Sequence, residues 1–120
     1  MSLVADFRVF NDHSQHLKAG QQTVFRVEIP VNLDHTADSS KSVVYLKYSL
    51  EGASSLKWEL FLNGTLLLWT TSSGSKISMT MEAFEAKLLL PGENEFVFRV
   101  PSGTGTVRVA DATVHYHVNV

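Results

Sequence analysis

The run KWELFLNGTLLLW constrains this chain more than any other stretch, because two apolar segments meet there at Asn63 and Gly64, the strongest short hairpin signal. A two-residue type I′ loop needs positive φ at both central positions, which asparagine tolerates and glycine adopts freely. Counting outward from that turn predicts the pairing: Leu62 opposite Thr65, Leu60 opposite Leu67, and Trp58 opposite Trp69. Both tryptophans are then expected on one stripe with Leu56, Leu60, Leu62 and Leu67, the most apolar face in the chain and the natural core. The opposite face carries Phe61, Leu66 and Leu68 beside Lys57, Glu59 and Thr70, which is too apolar for plain solvent.

Period-two alternation recurs along the rest of the chain, and helical periodicity of useful length is absent. Residues 3–10 read as a first strand, followed by the polar loop NDHSQHLKAG. In TVFRVEIPV, Phe25, Val27 and Ile29 alternate with Val24, Arg26 and Glu28, until Pro30 removes a ladder donor. NLDHTADSSKS is the longest loop candidate. VVYLKYSL then sets Val44, Leu46, Tyr48 and Leu50 on one face and Val43, Tyr45 and Lys47 on the other. EGASS, TSSGS and PSGTG read as turns, and KISMTME as a strand alternating Ile77, Met79 and Met81 with polar neighbours. EAFEAK allows a short helical turn at most. In LLLPGENEFVFRV, Phe96, Phe98 and Val100 are expected inward. The end of the chain sets Val107 and Val109, then Val114, Tyr116, Val118 and Val120, on one face. About eight or nine strands without crossover helices predict an all-β fold, an antiparallel two-sheet β-sandwich in a single domain, residues 1–120.

With 120 residues, 44% hydrophobic and 18% charged, the chain has the composition of a folded globular domain. Its net charge is −2, and the ten Lys and Arg residues are scattered, so no phosphate-tracking stripe or polybasic membrane patch can be drawn. Neither nucleic acid nor a membrane is an expected partner. The chain contains no cysteine, which removes disulfides, thiolate zinc sites and cysteine nucleophiles. The start, MSLVADF, has no signal-peptide pattern and no stretch reaches the length of a membrane span, so a soluble chain is expected. An extracellular origin stays open, through a removed leader or excision from a longer polypeptide.

Three segments of the C-terminal two thirds, WELFLNG, LLLPGENEFVFRV and GTVRVADATVHY, together resemble the galactose-binding-like jelly roll found in carbohydrate-binding modules and in sugar-binding domains of glycoside hydrolases. The resemblance rests on a strand from Trp58 to Leu62 ending in Asn-Gly, on Leu89, Pro91, Gly92 and Asn94, and on Val107, Val109, Asp111, Val114 and Tyr116. These are fold signatures: proline and glycine pre-set a turn, and Asn94 can bond its own backbone before the next strand. The resemblance implies a sugar-binding scaffold without dictating a ligand. The acidic constellation that holds calcium in many such modules has no match here, and no cofactor is expected.

Tyr45 and Lys47 would extend the Phe61, Leu66 and Leu68 face if their strand lies in the same sheet. Asp34, His35 and Asp38 belong to the long polar loop, where sandwich folds often place ligand contacts, and no nucleophile elbow, paired-carboxylate motif or phosphate loop accompanies them. His115 and His117 project to one face, a spacing that can supply two imidazoles to a metal, but no third ligand is specified and no metal is expected. Asn63, Gly64 and Thr65 also spell a glycosylation sequon, for which the turn is sufficient explanation. The residues thus predict no catalytic group. They favour a non-catalytic binding module with carbohydrate as ligand, or, as the alternative, an assembly domain that packs on a second copy or a neighbouring domain through Phe61, Leu66 and Leu68.

Overall fold

A computed structural model describes residues 3–34, 41–74 and 77–120, apart from the side chain of Ala53. Its strands are β1 (Leu3–Asn11), β2 (Gln15–Leu17), β3 (Gln22–Ile29), β4 (Lys41–Leu62), β5 (Thr65–Gly74), β6 (Ile77–Glu85) and β7 (Gly92–Asn119), with one 3-10 turn at Ala86–Leu88 inside EAFEAK. The predicted alternation holds where one face meets the core. Phe25, Val27 and Ile29 are buried and their neighbours exposed; Val44, Leu46 and Leu50 are buried; Phe96, Phe98 and Val100 are fully buried. Val120, beyond the end of β7, is exposed rather than on the buried face.

Seven strands stand among the described residues where eight or nine were expected, because EGASS and PSGTG do not end their strands. β4 runs through the first and β7 through the second, and the two stretches lie opposite each other: Glu51 pairs with Thr106 and Ser55 with Thr104. The ladder between those pairs is irregular, with more residues on β4 than on β7. Ser54 closes it. Its hydroxyl donates to the Glu51 carbonyl and accepts from the Thr106 amide at 3.0 Å, so the backbone groups released by the irregularity keep partners. Two turn-like sequences thereby make one joint bend in a paired ribbon.

Because β4 and β7 continue past the bend, each belongs to both halves of the molecule. One half runs β3–β7–β4–β5, and the other β1–β7–β4–β6 with β2 added on β7. All pairs are antiparallel. The halves share one apolar core, to which the first contributes Trp58, Leu60, Phe96 and Phe98 and the second Leu46, Val109, Val114 and Tyr116. Contacts between halves are direct: the Phe10 ring of β1 stacks on Phe96 with centroids 4.2 Å apart, and Tyr48 meets Trp58 edge-on at 5.0 Å. The architecture is an antiparallel β-sandwich, made barrel-like by the two strands that pass from one half to the other.

Tyr116 is buried in this core and its hydroxyl donates to Asp6 Oδ2 at 3.2 Å. Burial, aided by the Asp6 carboxylate, pushes the phenol from its ordinary value of 10.0 up to about 12. The folded value exceeds the unfolded one, so this contribution to stability is complete below pH 10 and is lost as pH rises toward 12. Urea midpoints should fall across that alkaline window, and Tyr116→Phe should make the fall shallower.

Candidate ligand-binding face

The β4–β5 hairpin builds the most distinctive surface, and its geometry starts at the turn. Asn63 has φ 48° and Gly64 φ 86°, the left-handed pair that a type I′ loop requires. Leu62 pairs with Thr65 and Phe61 with Leu66, but the next pair is Leu60 with Leu68, leaving Leu67 bulged out of the ladder. From there the register is one residue away from the expected one: Glu59 faces Trp69 and Trp58 faces Thr70. Trp58 remains wholly buried, stacked on Phe98 at 5.0 Å, as expected. Trp69 is on the outer face instead of in the core, with 58% of its surface exposed.

The bulge also corrects the expected outer patch. Leu68 shares the side of Leu60 and packs against the core together with Leu67, so it does not belong to the outer face with Phe61 and Leu66. Phe61 and Leu66 do stay outside and opposite each other. Around them the four strands line up in rows. Leu66, Phe61, Val97 and Val24 form one row, and Trp69, Glu59, Arg99 and Gln22 the next.

The second row is where polar chemistry meets the exposed indole. Arg99 donates to Glu59 Oε1 from Nε at 3.0 Å and from Nη2 at 2.7 Å, and its guanidinium carbon lies 5.2 Å from the Phe61 ring centroid. The Glu59 side chain is 10% exposed while that of Arg99 is 46% exposed. A guanidinium has five N–H donors, so after two bonds to Glu59 it keeps others that face outward. Lys57 Nζ sits 4.9 Å from the Trp69 ring centroid, a cation–π contact that steadies the indole and covers one part of it. The result is a flat apolar plane edged by a carboxylate, a guanidinium and an ammonium. Trp69 and Leu66 stand exposed on the outer side of the sheet, so the face is open.

The other expected site residues lie elsewhere. Tyr45 and Lys47 point outward as predicted, but on the stretch of β4 paired with β6, in the opposite half from Phe61. Asp34 is buried, not solvated, and its amide donates to the His117 carbonyl at 2.8 Å. His35 and Asp38 lie outside the described residues. His115 and His117 do share one outer face, where His115 is stacked by Phe7 at 5.5 Å and met edge-on by Tyr45 at 4.8 Å. Among the described residues no group of His, Asp or Glu side chains is placed to hold a metal ion. The sequon asparagine, Asn63, uses its amide nitrogen on Asn94 Oδ1 at 2.9 Å and the Leu88 carbonyl at 3.2 Å, in keeping with the turn explanation.

No family model matches the chain, and no curated protein matches it in sequence. Solved structures match its fold. Dimeric latent PorU from Porphyromonas gingivalis superposes with a TM-score of 0.70 at 10% identity, over 99% of this chain and 13% of that one. A β-porphyranase of glycoside hydrolase family 86 from the gut bacterium Bacteroides plebeius gives 0.68 at 16% identity, over 98% and 21%. The CBM36-1 domain of a multidomain xylanase from the hindgut metagenome of Trinervitermes trinervoides gives 0.59 at 9% identity, over 98% of this chain and 100% of that domain. The chain therefore spans a small part of the first two proteins and the whole of the third. The chain shares its β-sandwich fold with these domains, in keeping with its resemblance to the galactose-binding-like jelly roll. No helix among the described residues is long and apolar enough to cross a membrane.

Proposed function

We propose that residues 1–120 form a single non-catalytic carbohydrate-binding domain whose ligand lies across the open face of Trp69, Phe61 and Leu66. The observation that carries this reading is the exposed Trp69 ring, set beside the Glu59–Arg99 pair and Lys57. An indole plane complements the C–H face of a pyranose, while the half-exposed guanidinium and the ammonium can bond ring hydroxyls or an acidic substituent. The openness of the face suits an internal stretch of a polysaccharide, which enters from the side, better than a chain end held in a pocket. The full-length fold match to a module of a xylanase supports the same reading, as does the match to part of a porphyranase.

Affinity gels cast with a panel of soluble polysaccharides test it. The parent should be retarded by at least one neutral or acidic polysaccharide, and Trp69→Ala should weaken that retardation by at least about tenfold, equivalent to ~1.4 kcal/mol. Because Trp69 contributes little to the core, its removal should leave the urea midpoint nearly unchanged, within roughly 0.5 kcal/mol. A folded parent that no polysaccharide retards would overturn the proposal.

A further inference from the structure

Charge is divided unevenly over the strands of the Trp69 face, and the division bears on the kind of polysaccharide that can lie there. Toward the Asn63–Gly64 turn, Glu28, Glu93 and Glu95 accompany Arg26, whose guanidinium reaches Glu93 at 3.4 Å and Glu95 at 3.3 Å. Toward the bend the sign reverses. Lys57 and Arg99 share that end with one carboxylate, Glu59, and Glu59 already accepts two bonds from Arg99. Among the described residues the Lys57 ammonium has no carboxylate partner and rests on the Trp69 ring instead. Glu95 and Arg99 lie on the same strand, β7, roughly 13 Å apart at ~3.3 Å per residue, which exceeds the ~8 Å screening length of physiological salt. The two ends therefore act on a bound anion almost independently. Thr71, Ser102, Ser55 and Ser73 carry the exposed surface on toward the bend with hydroxyls and no further charge.

Building on the carbohydrate reading of this face, we infer that its ligand is an acidic polysaccharide, with a carboxylate or sulfate group of the chain held between Lys57 and Arg99. The two cations stand diagonally across β4 and β7, where separations are roughly 7–8 Å, so their side chains can converge on one anion. Arg99 is preset for it. Its Nε and Nη2 both donate to Glu59 Oε1, at 3.0 and 2.7 Å, which occupies one edge of the guanidinium and fixes its plane. The Nη1–Nη2 edge keeps free N–H groups among the described residues, and that fork pairs bidentately with a carboxylate or a tetrahedral oxyanion. Glu59 is 8% exposed, and a buried carboxylate leaves its guanidinium only at large cost, so it acts as a positioning residue. Lys57 adds a point charge at the indole, within reach of the substituents of a sugar stacked on Trp69. The whole chain carries −2, so it has no general attraction for polyanions, and the preference must arise at this corner.

Affinity gels with the full chain compare two polyanions with their uncharged forms: polygalacturonate with its carboxyl-reduced polymer, and a sulfated galactan with its desulfated polymer. At least one acidic member should bind ~tenfold or more tightly than its neutral form, and the arm in which this occurs tells carboxylate from sulfate. Raising the salt from about 0.05 M to about 0.5 M should erase that preference. Lys57→Gln should lower affinity for the acidic polymer at least ~fivefold and leave the neutral one unchanged, whereas Lys57→Arg should retain it. Arg99→Lys keeps the charge that Glu59 requires but loses the fork, and should likewise weaken the acidic polymer alone. Lys41→Gln removes the same charge from the opposite half and should change neither. An acidic preference that survives both Lys57→Gln and Arg99→Lys overturns the inference. Neutral forms that bind as well as acidic ones, and are still weakened by Trp69→Ala, overturn the acidic ligand and leave the binding domain standing. Retention only by other members of the wider polysaccharide panel has the same meaning, and no retention anywhere overturns both proposals.

Discussion

Replacing Gly103 with alanine should cost the fold about 4 kcal/mol, from backbone strain and overpacking together. Gly103 has φ 124°, a conformation that side-chain-bearing residues rarely adopt, and it pairs with Leu56 at the bend shared by β7 and β4. An added Cβ would fall 2.6 Å from the Ser55 carbonyl oxygen and 2.5 Å from Leu56 Cβ, and would also meet Leu56 Cα. These are main-chain and core atoms, not the end of a flexible side chain. Leu56 is 1% exposed and cannot retreat without disturbing the layer that holds Trp58. Gly64→Ala separates the two causes, since Gly64 also has positive φ but nothing within 4 Å of its added Cβ, and it should cost only about 1–2 kcal/mol. Urea unfolding of both variants checks the difference. Equal losses would mean that β7 does not approach β4 as closely as the ladder requires.

That close approach marks where the sequence stops being legible. PSGTG and EGASS each contain the residues of a turn, and read singly each is one; only their position opposite each other converts them into a bend within continuous strands. Where alternation is strict, the reading holds, as in Phe25, Val27 and Ile29 or in Phe96, Phe98 and Val100, because a slip would expose every apolar side chain at once. Leu66, Leu67 and Leu68 offer no such penalty. Three leucines in a row are apolar on both faces, so one can bulge at little cost, and the slip turns Leu68 inward and Trp69 outward. The outward direction of Lys57, Glu59 and Arg99 follows from their neighbours, but the Glu59–Arg99 pair depends on β4 lying beside β7, forty residues away in sequence. Tyr45 and Lys47 fail as part of the same site for a related reason. Their facing is correct and their strand is correct, yet that strand is long enough to serve both halves of the sandwich.

Asn94→Ala should be the most damaging polar substitution, losing about 3 kcal/mol through buried bonds that water cannot fully replace. Asn94 is fully buried at the start of β7. Its Oδ1 accepts from the Leu90 amide at 2.8 Å and from Asn63 Nδ2 at 2.9 Å, and its Nδ2 donates to the Leu90 carbonyl at 2.7 Å and the Gly92 carbonyl at 3.1 Å. Asn63 completes the link: its amide donates to the Glu95 carbonyl at 2.8 Å, and its Oδ1 accepts from the Glu95 amide at 2.9 Å. The two turns that the sequence marks separately, Asn-Gly and Pro-Gly, are thus fastened to each other. Alanine at 94 strips four bonds from a fully buried site, whereas Asn63→Gly keeps the turn conformation at an exposed position and should lose only about 1 kcal/mol. The double variant should lose less than the sum of the two, because both act through the Asn63–Asn94 bond. Chemical denaturation of the three variants measures that coupling, and strict additivity would mean that the two turns are held in place independently.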